Sequence, residues 1–284
     1  MKENYLVTIP VFKNHEEIHL EHLKNLNVSH FILPQISSVR IDTTSLAYYL
    51  NKAIKKEIIL TINTVDTNLR YIQSRILGAQ LFNLSKFIIT RGDSKSIQKS
   101  NDKVINDSKP VFEYPTTEVI NHISNMTKGY DFLQNKLNGE IDAYIGSTIE
   151  LPDISNKNID LVKNKIINGT KFFITNPIYE YNKYKEFLNS YEQRFNSKFV
   201  TDIYVSIRMD LPRNSFYDKE FKKSKYLSTG LSKDKYYFNL VNHFKANGIN
   251  KFNFILPSNK YNFDKLNQEI ILINNIIEKI KVKN

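Results

Sequence analysis

The stretch Tyr5-Leu6-Val7-Thr8-Ile9-Pro10-Val11-Phe12-Lys13-Asn14 decides between two architectures. Its first four residues read as a short buried strand, and the six that follow form a turn without a Gly. An open, doubly wound sheet normally carries a Gly-rich phosphate loop directly after its first strand, where backbone amides must approach a pyrophosphate. That device is missing, so a closed barrel is expected. Working outward, the same unit recurs along the chain: a β-branched or aromatic run, then a longer amphipathic stretch. Strands are expected at 5–8, 30–33, 58–62, 87–90, 141–145, 171–175, 202–207 and 251–255. Helices are expected at 15–26, 44–55, 68–82, 116–137, 159–167, 181–195, 233–247 and 263–280. Asn168-Gly169 and Asn247-Gly248 fall where helices should stop. Eight strand–helix pairs in strict succession predict one (β/α)8 barrel of TIM type over residues 1–284.

The composition agrees. A chain of 284 residues suits one such barrel, which typically needs about 250. Cys is absent, which excludes disulfides and thiolate metal sites. The N-terminal apolar run is too soon interrupted by charge for a secretory signal, and no run approaches the roughly 20 residues of a membrane span. A cytoplasmic protein without membrane contact is the expectation. The net charge of +11 would suit nucleic acid or a ligand carrying several carboxylates. The lysines are scattered, however, whereas a nucleic-acid footprint concentrates its charge on one face. No nucleic-acid partner is expected.

Three motifs stand out. His15-Glu16-Glu17-Ile18-His19 fits the helical zinc signature H-E-x-x-H, and His22 extends that face. Asn14 followed by Glu17 also reads as a capping box opening the first helix. On a barrel that helix lies on the outer wall, so no metal site is expected. The second motif is Phe87-Ile88-Ile89-Thr90-Arg91-Gly92-Asp93, a strand that ends in Arg-Gly-Asp. It stands where a barrel places its catalytic groups, with Arg as a forked donor and Asp as a carboxylate. The third runs from Leu161 to Asn176: a helix with Lys163 and Lys165, the Asn168-Gly169 stop, a strand, and Thr175-Asn176 at its end. The loops 91–115 and 208–232 are long enough to be functional, and 146–158 is a third candidate.

In this order the second and third motifs resemble the methylenetetrahydrofolate reductase family. Its members carry L-R-G-D after strand four, then L-K-x-K-x-x-A-G leading to a strand that closes on T-Q. Tyr114-Pro115-Thr116-Thr117-Glu118-Val119 is similar to the family's Y-A-x-D-L, and Ala143-Tyr144 to the pair that closes its strand five. The resemblance covers about residues 5–259 and rests chiefly on 58–176. It implies FAD across the barrel mouth, NAD(P)H as electron donor, and a folate one-carbon carrier as substrate. Arg91, Gly92, Asp93, Tyr114, Tyr144 and Lys165 would hold the flavin, with Lys165 at its phosphates. Asp93 and Asn176 would meet the folate, Asp93 favouring a cationic iminium. A homo-oligomer is also expected.

The departures from the family are informative. The strand-one sequence F-E-F-F-P-P, whose Glu protonates the folate, is Val7-Thr8-Ile9-Pro10 here. The family's H-L-T becomes Ile59-Leu60-Thr61, and its Y-P-E becomes Tyr144-Ile145-Gly146. General acid catalysis contributes about 10²–10⁴-fold, so another acid must substitute. Glu150 is the first candidate and Glu113 the second. Two readings follow: a flavin-dependent folate oxidoreductase, or a folate- or flavin-binding accessory subunit without reductase chemistry, such as a methyltransferase partner.

Overall fold

The computed structural model describes residues 4–10, 12, 18, 20–35, 41–65, 67–92, 111, 113–209, 231–256 and 263–281. Within them each short apolar run forms a strand, and the amphipathic stretches form helices. In chain order these are β1 (Tyr5–Thr8), α1 (Leu20–Lys24), β2 (His30–Leu33), α2 (Thr43–Ile54), β3 (Glu57–Asn63), α3 (Leu69–Gln80), β4 (Lys86–Thr90) and α4 (Thr116–Met126). Then follow β5 (Tyr144–Ile149), α5 (Asn156–Ile167), β6 (Phe172–Thr175), α6 (Tyr181–Phe195), β7 (Asp202–Arg208), α7 (Lys233–Ala246), β8 (Phe252–Ile255) and α8 (Phe263–Lys281). All strands pair in parallel in sequence order, and β8 pairs back to β1. The fold is a closed (β/α)8 barrel of TIM type.

Local chemistry starts the helices at the end of the barrel where the strands finish. Asp42, Asn68 and Ser155 cap α2, α3 and α5, each accepting a bond from the backbone N–H three residues on. Alternate strand residues face opposite sides of the wall. Val7, Phe31, Leu60, Ile89 and Val205 face out under the helices. Leu6, Ile32, Ile59, Ile88, Phe172 and Tyr204 face in and plug the lumen. Gly146 sits opposite Phe172 in this plug: a Cβ there would lie 2.3 Å from the ring Cζ. The glycine leaves the space that the ring fills.

Below the plug, at the strands' N-terminal end, the inward positions are charged and paired. His30 Nε2 lies 3.1 Å from Glu57 Oε2, which also takes the Lys86 ammonium. Lys251 Nζ lies 3.1 Å from Asp202 Oδ2 and 5.4 Å from the centre of the Tyr204 ring. Burial of Glu57 would raise its pKa, but the bond to Lys86 and the charges of Lys86 and His30 outweigh it and hold the carboxyl below its ordinary value.

Two sequence expectations are corrected, and a third lies partly outside the described residues. The fifth strand, expected at 141–145, runs from Tyr144 to Ile149. The helix expected over 116–137 stops at Met126, where Thr127–Gly129 turn the chain and Gly129 takes φ 85°. An isolated bridge between Tyr130 and Lys136 follows it. The first helix, expected from His15, is described only from Leu20, and His15, Glu16 and His19 lie outside the described residues. His22 is on α1, and among the described residues no cluster of three or more His, Cys, Asp or Glu could hold a metal. No helix among them is long and apolar enough to cross a membrane.

Candidate functional site at the barrel mouth

Above the plug, the inward positions change character. Thr8, Thr61, Asn63, Thr90, Thr148, Ser206 and Asn253 present hydroxyls and amides rather than hydrocarbon. Five of them bond to one another between neighbouring strands. Thr8 Oγ1 donates to Asn253 Oδ1 at 2.9 Å, and Asn253 Nδ2 donates to Ser206 Oγ at 3.0 Å. Thr90 and Thr148 hydroxyls meet at 3.1 Å. Thr8 therefore stands, uncharged and hydrogen-bonded, where the resemblance would place a proton-donating Glu.

A second network fixes the rim between β2, β3 and β4. Gln35 Oε1 accepts from the backbone N–H of Asn63 at 3.1 Å and from Arg75 Nη1 at 2.6 Å. Asn63 Nδ2 donates to the carbonyl of Gln35 at 3.0 Å. Arg75, on α3 and only 7% exposed, also donates to the hydroxyls of Thr43 and Thr44. Burial lowers its pKa, with Tyr71 and Asp42 acting in the opposite sense. On the other side of Asn63, Gly92 adopts φ 83°, and a Cβ there would lie 2.9 Å from Asn63 Cγ. Both the backbone and the contact require glycine. The ladder between β3 and β4 continues over the rim, with Thr64 and Val65 amides donating to the carbonyls of Thr90 and Arg91 at 2.9 Å.

The residues singled out from sequence distribute unevenly over this frame. Arg91, exposed, and Gly92 directly follow β4 at the mouth. Asp93 lies outside the described residues. Asn176, half-buried, follows β6, and its N–H donates to the Ile149 carbonyl at 3.2 Å. Glu150, exposed, is the first residue past β5. Tyr114 stands just ahead of α4, its ring edge-on to His122 at 6.0 Å. The Glu113 carboxylate accepts from the Leu69 N–H at 2.6 Å, capping α3, where a negative charge is favoured.

Two residues are placed elsewhere. Tyr144 opens β5 rather than closing it, paired with Lys86, and stacks on Phe172 at 5.6 Å from below. It is at the opposite end of the barrel from Arg91 and Asn176. Burial and the charge of Asp202 raise its pKa. Lys165 is 6% exposed between α5 and the wall, where Nζ donates to the Thr148 carbonyl at 2.7 Å and burial pulls its pKa down to about 8. A flavin's phosphates require cations or helix N-termini. Neither Tyr144 nor Lys165 fits such a contact, whereas Arg91 and Gly92 are at the mouth. Strand five also reverses one departure: Gly146 is mid-strand, and the residue that leaves the strand end is the acid Glu150.

Gln35, Asn63, Arg75, Ser206 and Asn253 were not singled out by motif. A signal for some of them was present: Asn63 and Ser206 fall at even spacings from the plug residues Ile59 and Tyr204 of their own strands, and Asn253 is a polar residue within the apolar run of β8, paired with the plug residue Leu6. Nothing local marks Gln35 or Arg75.

Fold and mouth together define a (β/α)8 barrel with a neutral, hydrogen-bonding site above a sealed lumen. No family model and no curated protein matches the sequence. Among solved structures it is similar to an uncharacterized protein from Clostridium thermocellum that binds two copies of 5-methyl-5,6,7,8-tetrahydrofolic acid. The likeness has a TM-score of 0.61 at 15% identity and covers 96% of this chain and 94% of that one. At this identity it shows the shared fold.

Proposed function

We propose that this protein binds a reduced folate, a one-carbon carrier, in the mouth of its barrel. The supporting observation is the mouth itself: uncharged donors and acceptors ring a floor closed by Ile32, Phe172 and Tyr204. A reduced pterin is a neutral plate with donors and acceptors along its edge, which suits an apolar floor and polar wall. Its glutamate tail carries carboxylates, and Arg91 and the β7-terminal Arg208 set positive charge at the rim. The folate ligand of the similar clostridial barrel supports the same reading. In this form the protein is a folate-binding or accessory subunit, with room for a protein partner such as a methyltransferase.

The test is titration calorimetry with 5-methyltetrahydrofolate. Saturable binding is expected, and an absence of both heat and thermal stabilisation at millimolar ligand would end the proposal.

A second reading adds chemistry: flavin-dependent reduction of a folate, with FAD at the mouth and NAD(P)H as donor. It is favoured by the Arg91-Gly92 turn and by Glu150 at the end of β5, an acid in place of the one that Thr8 does not supply. This reading expects a yellow protein whose visible absorption is bleached by NADH or NADPH and restored by methylenetetrahydrofolate. A colourless protein that takes up no added FAD rules it out and leaves the binding proposal standing.

A further inference from the structure

The rim network between β2, β3 and β4 has a property that follows from donor and acceptor chemistry alone. An amide side chain can usually face either way. Here it cannot. The Gln35 side chain meets two groups that only donate, the Asn63 backbone N–H and the Arg75 guanidinium, so the atom between them must be its oxygen. The Asn63 side chain meets the Gln35 carbonyl, which only accepts, so the atom there must be its nitrogen. Asn63 Oδ1 is thereby fixed as the remaining atom of that amide. Among the described residues no donor bonds to it.

Asn63 is the last residue of β3 and shares the inward face with Ile59 of the plug and with Thr61. It is 4% exposed, held between Gln35 on one side and the Gly92 backbone on the other. Asn63 Oδ1 is not among the fully buried side-chain atoms that lack a partner, so it is reachable from outside, where a ligand can replace water as its donor. Arg75 is unusual in its own way. Its three bonds go to uncharged oxygens of Thr43, Thr44 and Gln35, and no carboxylate lies within ion-pair distance among the described residues. Burying a guanidinium in this way is expensive. What it achieves locally is the orientation of one amide and, through it, of a second.

We propose that Asn63 Oδ1 is a specificity-determining acceptor for a ring N–H of the bound ligand, and that Arg75 is the residue that positions it through Gln35. The inference deepens the folate reading and rests on it: it selects a heterocycle that presents an N–H over one that presents only acceptors. Arg75 touches no ligand; it acts by locking the rim.

The test measures 5-methyltetrahydrofolate affinity by calorimetry for the unmodified protein, Asn63→Leu, Arg75→Met, and the double variant, with thermal melting as a check on folding. Asn63→Leu is expected to weaken binding by about tenfold or more, the cost of leaving a ligand N–H unpaired. Arg75→Met is expected to weaken it comparably and to have no further effect in the Asn63→Leu background, a non-additivity that general loosening would not produce. Should Arg75→Met not fold, Gln35→Met breaks the same relay without removing a charge, and the same pattern is expected. The inference is overturned by an Asn63→Leu protein that binds within twofold of the unmodified one. It is equally overturned by relay variants whose losses add in full to that of Asn63→Leu. If the unmodified protein binds no folate, the folate reading falls first and takes this inference with it.

Discussion

The two ends of the barrel are built from different chemistry. At the N-terminal end, inward positions carry His30, Glu57, Lys86, Asp202 and Lys251, joined in ion pairs. At the C-terminal end, the equivalent positions carry Thr8, Asn63, Thr90, Thr148, Ser206 and Asn253, which are uncharged. Paired charges complete one another and leave little for a ligand. Hydroxyls and amides have more lone pairs and protons than their neighbours use, so the mouth retains capacity for a guest. The lower end seals the molecule and the upper end can bind.

The largest effect is expected where the two regions meet. Gly146→Ala puts a methyl against the Phe172 ring in the plug and should lower stability by about 3 kcal/mol in chemical denaturation. Adding Phe172→Leu should restore much of the loss. A Gly146→Ala protein as stable as the parent would break the picture of a packed plug dividing the ends.

Gly146 also explains how far the sequence could be read. The eight-fold alternation was legible because each strand and helix carries its own hydrophobic period. The end of strand five was not. Gly146, Ser147 and Thr148 read as a turn, yet the barrel uses the glycine to admit a ring from β6 and Thr148 to line the mouth, while Ser147 lies on the other face of the wall and donates to the Ile89 carbonyl. That error set Tyr144 at the mouth and concealed that Glu150 leaves the strand end. Lys165, which the resemblance sets at a flavin's phosphates, is turned to the Thr148 carbonyl, a direction that only packing shows. The Arg75–Gln35–Asn63 relay joins residues 28 and 40 positions apart, so no local pattern could reveal it.

Gly92→Ala acts on the mouth alone. The strained backbone should cost about 1–2 kcal/mol, and the displaced Asn63 amide should weaken folate binding by about tenfold. Equal folate affinity in parent and variant, read by calorimetry, would uncouple the Arg91-Gly92 turn from the site.

Glu57→Gln acts on the lower end alone and should leave folate affinity unchanged. Because the Glu57 pKa is held low in the fold, its contribution is fully present above the ordinary glutamate pKa and is lost as pH falls through the folded value. The variant should therefore lose no more than about 1 kcal/mol at neutral pH and show a flatter acid limb in denaturation curves below the ordinary glutamate pKa. An unchanged acid limb would show that the ion-paired end does not seal the fold.

The smallest structural effect belongs to Glu150→Gln. This exposed side chain should alter stability by less than about 0.5 kcal/mol. Any loss of NAD(P)H-dependent folate reduction in that variant would then be chemical, and about a hundredfold is expected if Glu150 is the acid.

The plug has a kinetic consequence. With Phe172, Tyr204 and their neighbours filling the lumen, the cylinder is blind, and whatever occupies its mouth enters and departs by one door. Two guests stacked there would leave in reverse order of arrival, the deeper one waiting on the shallower. Exchange at such a site is governed by whatever stands over the opening rather than by passage through the barrel.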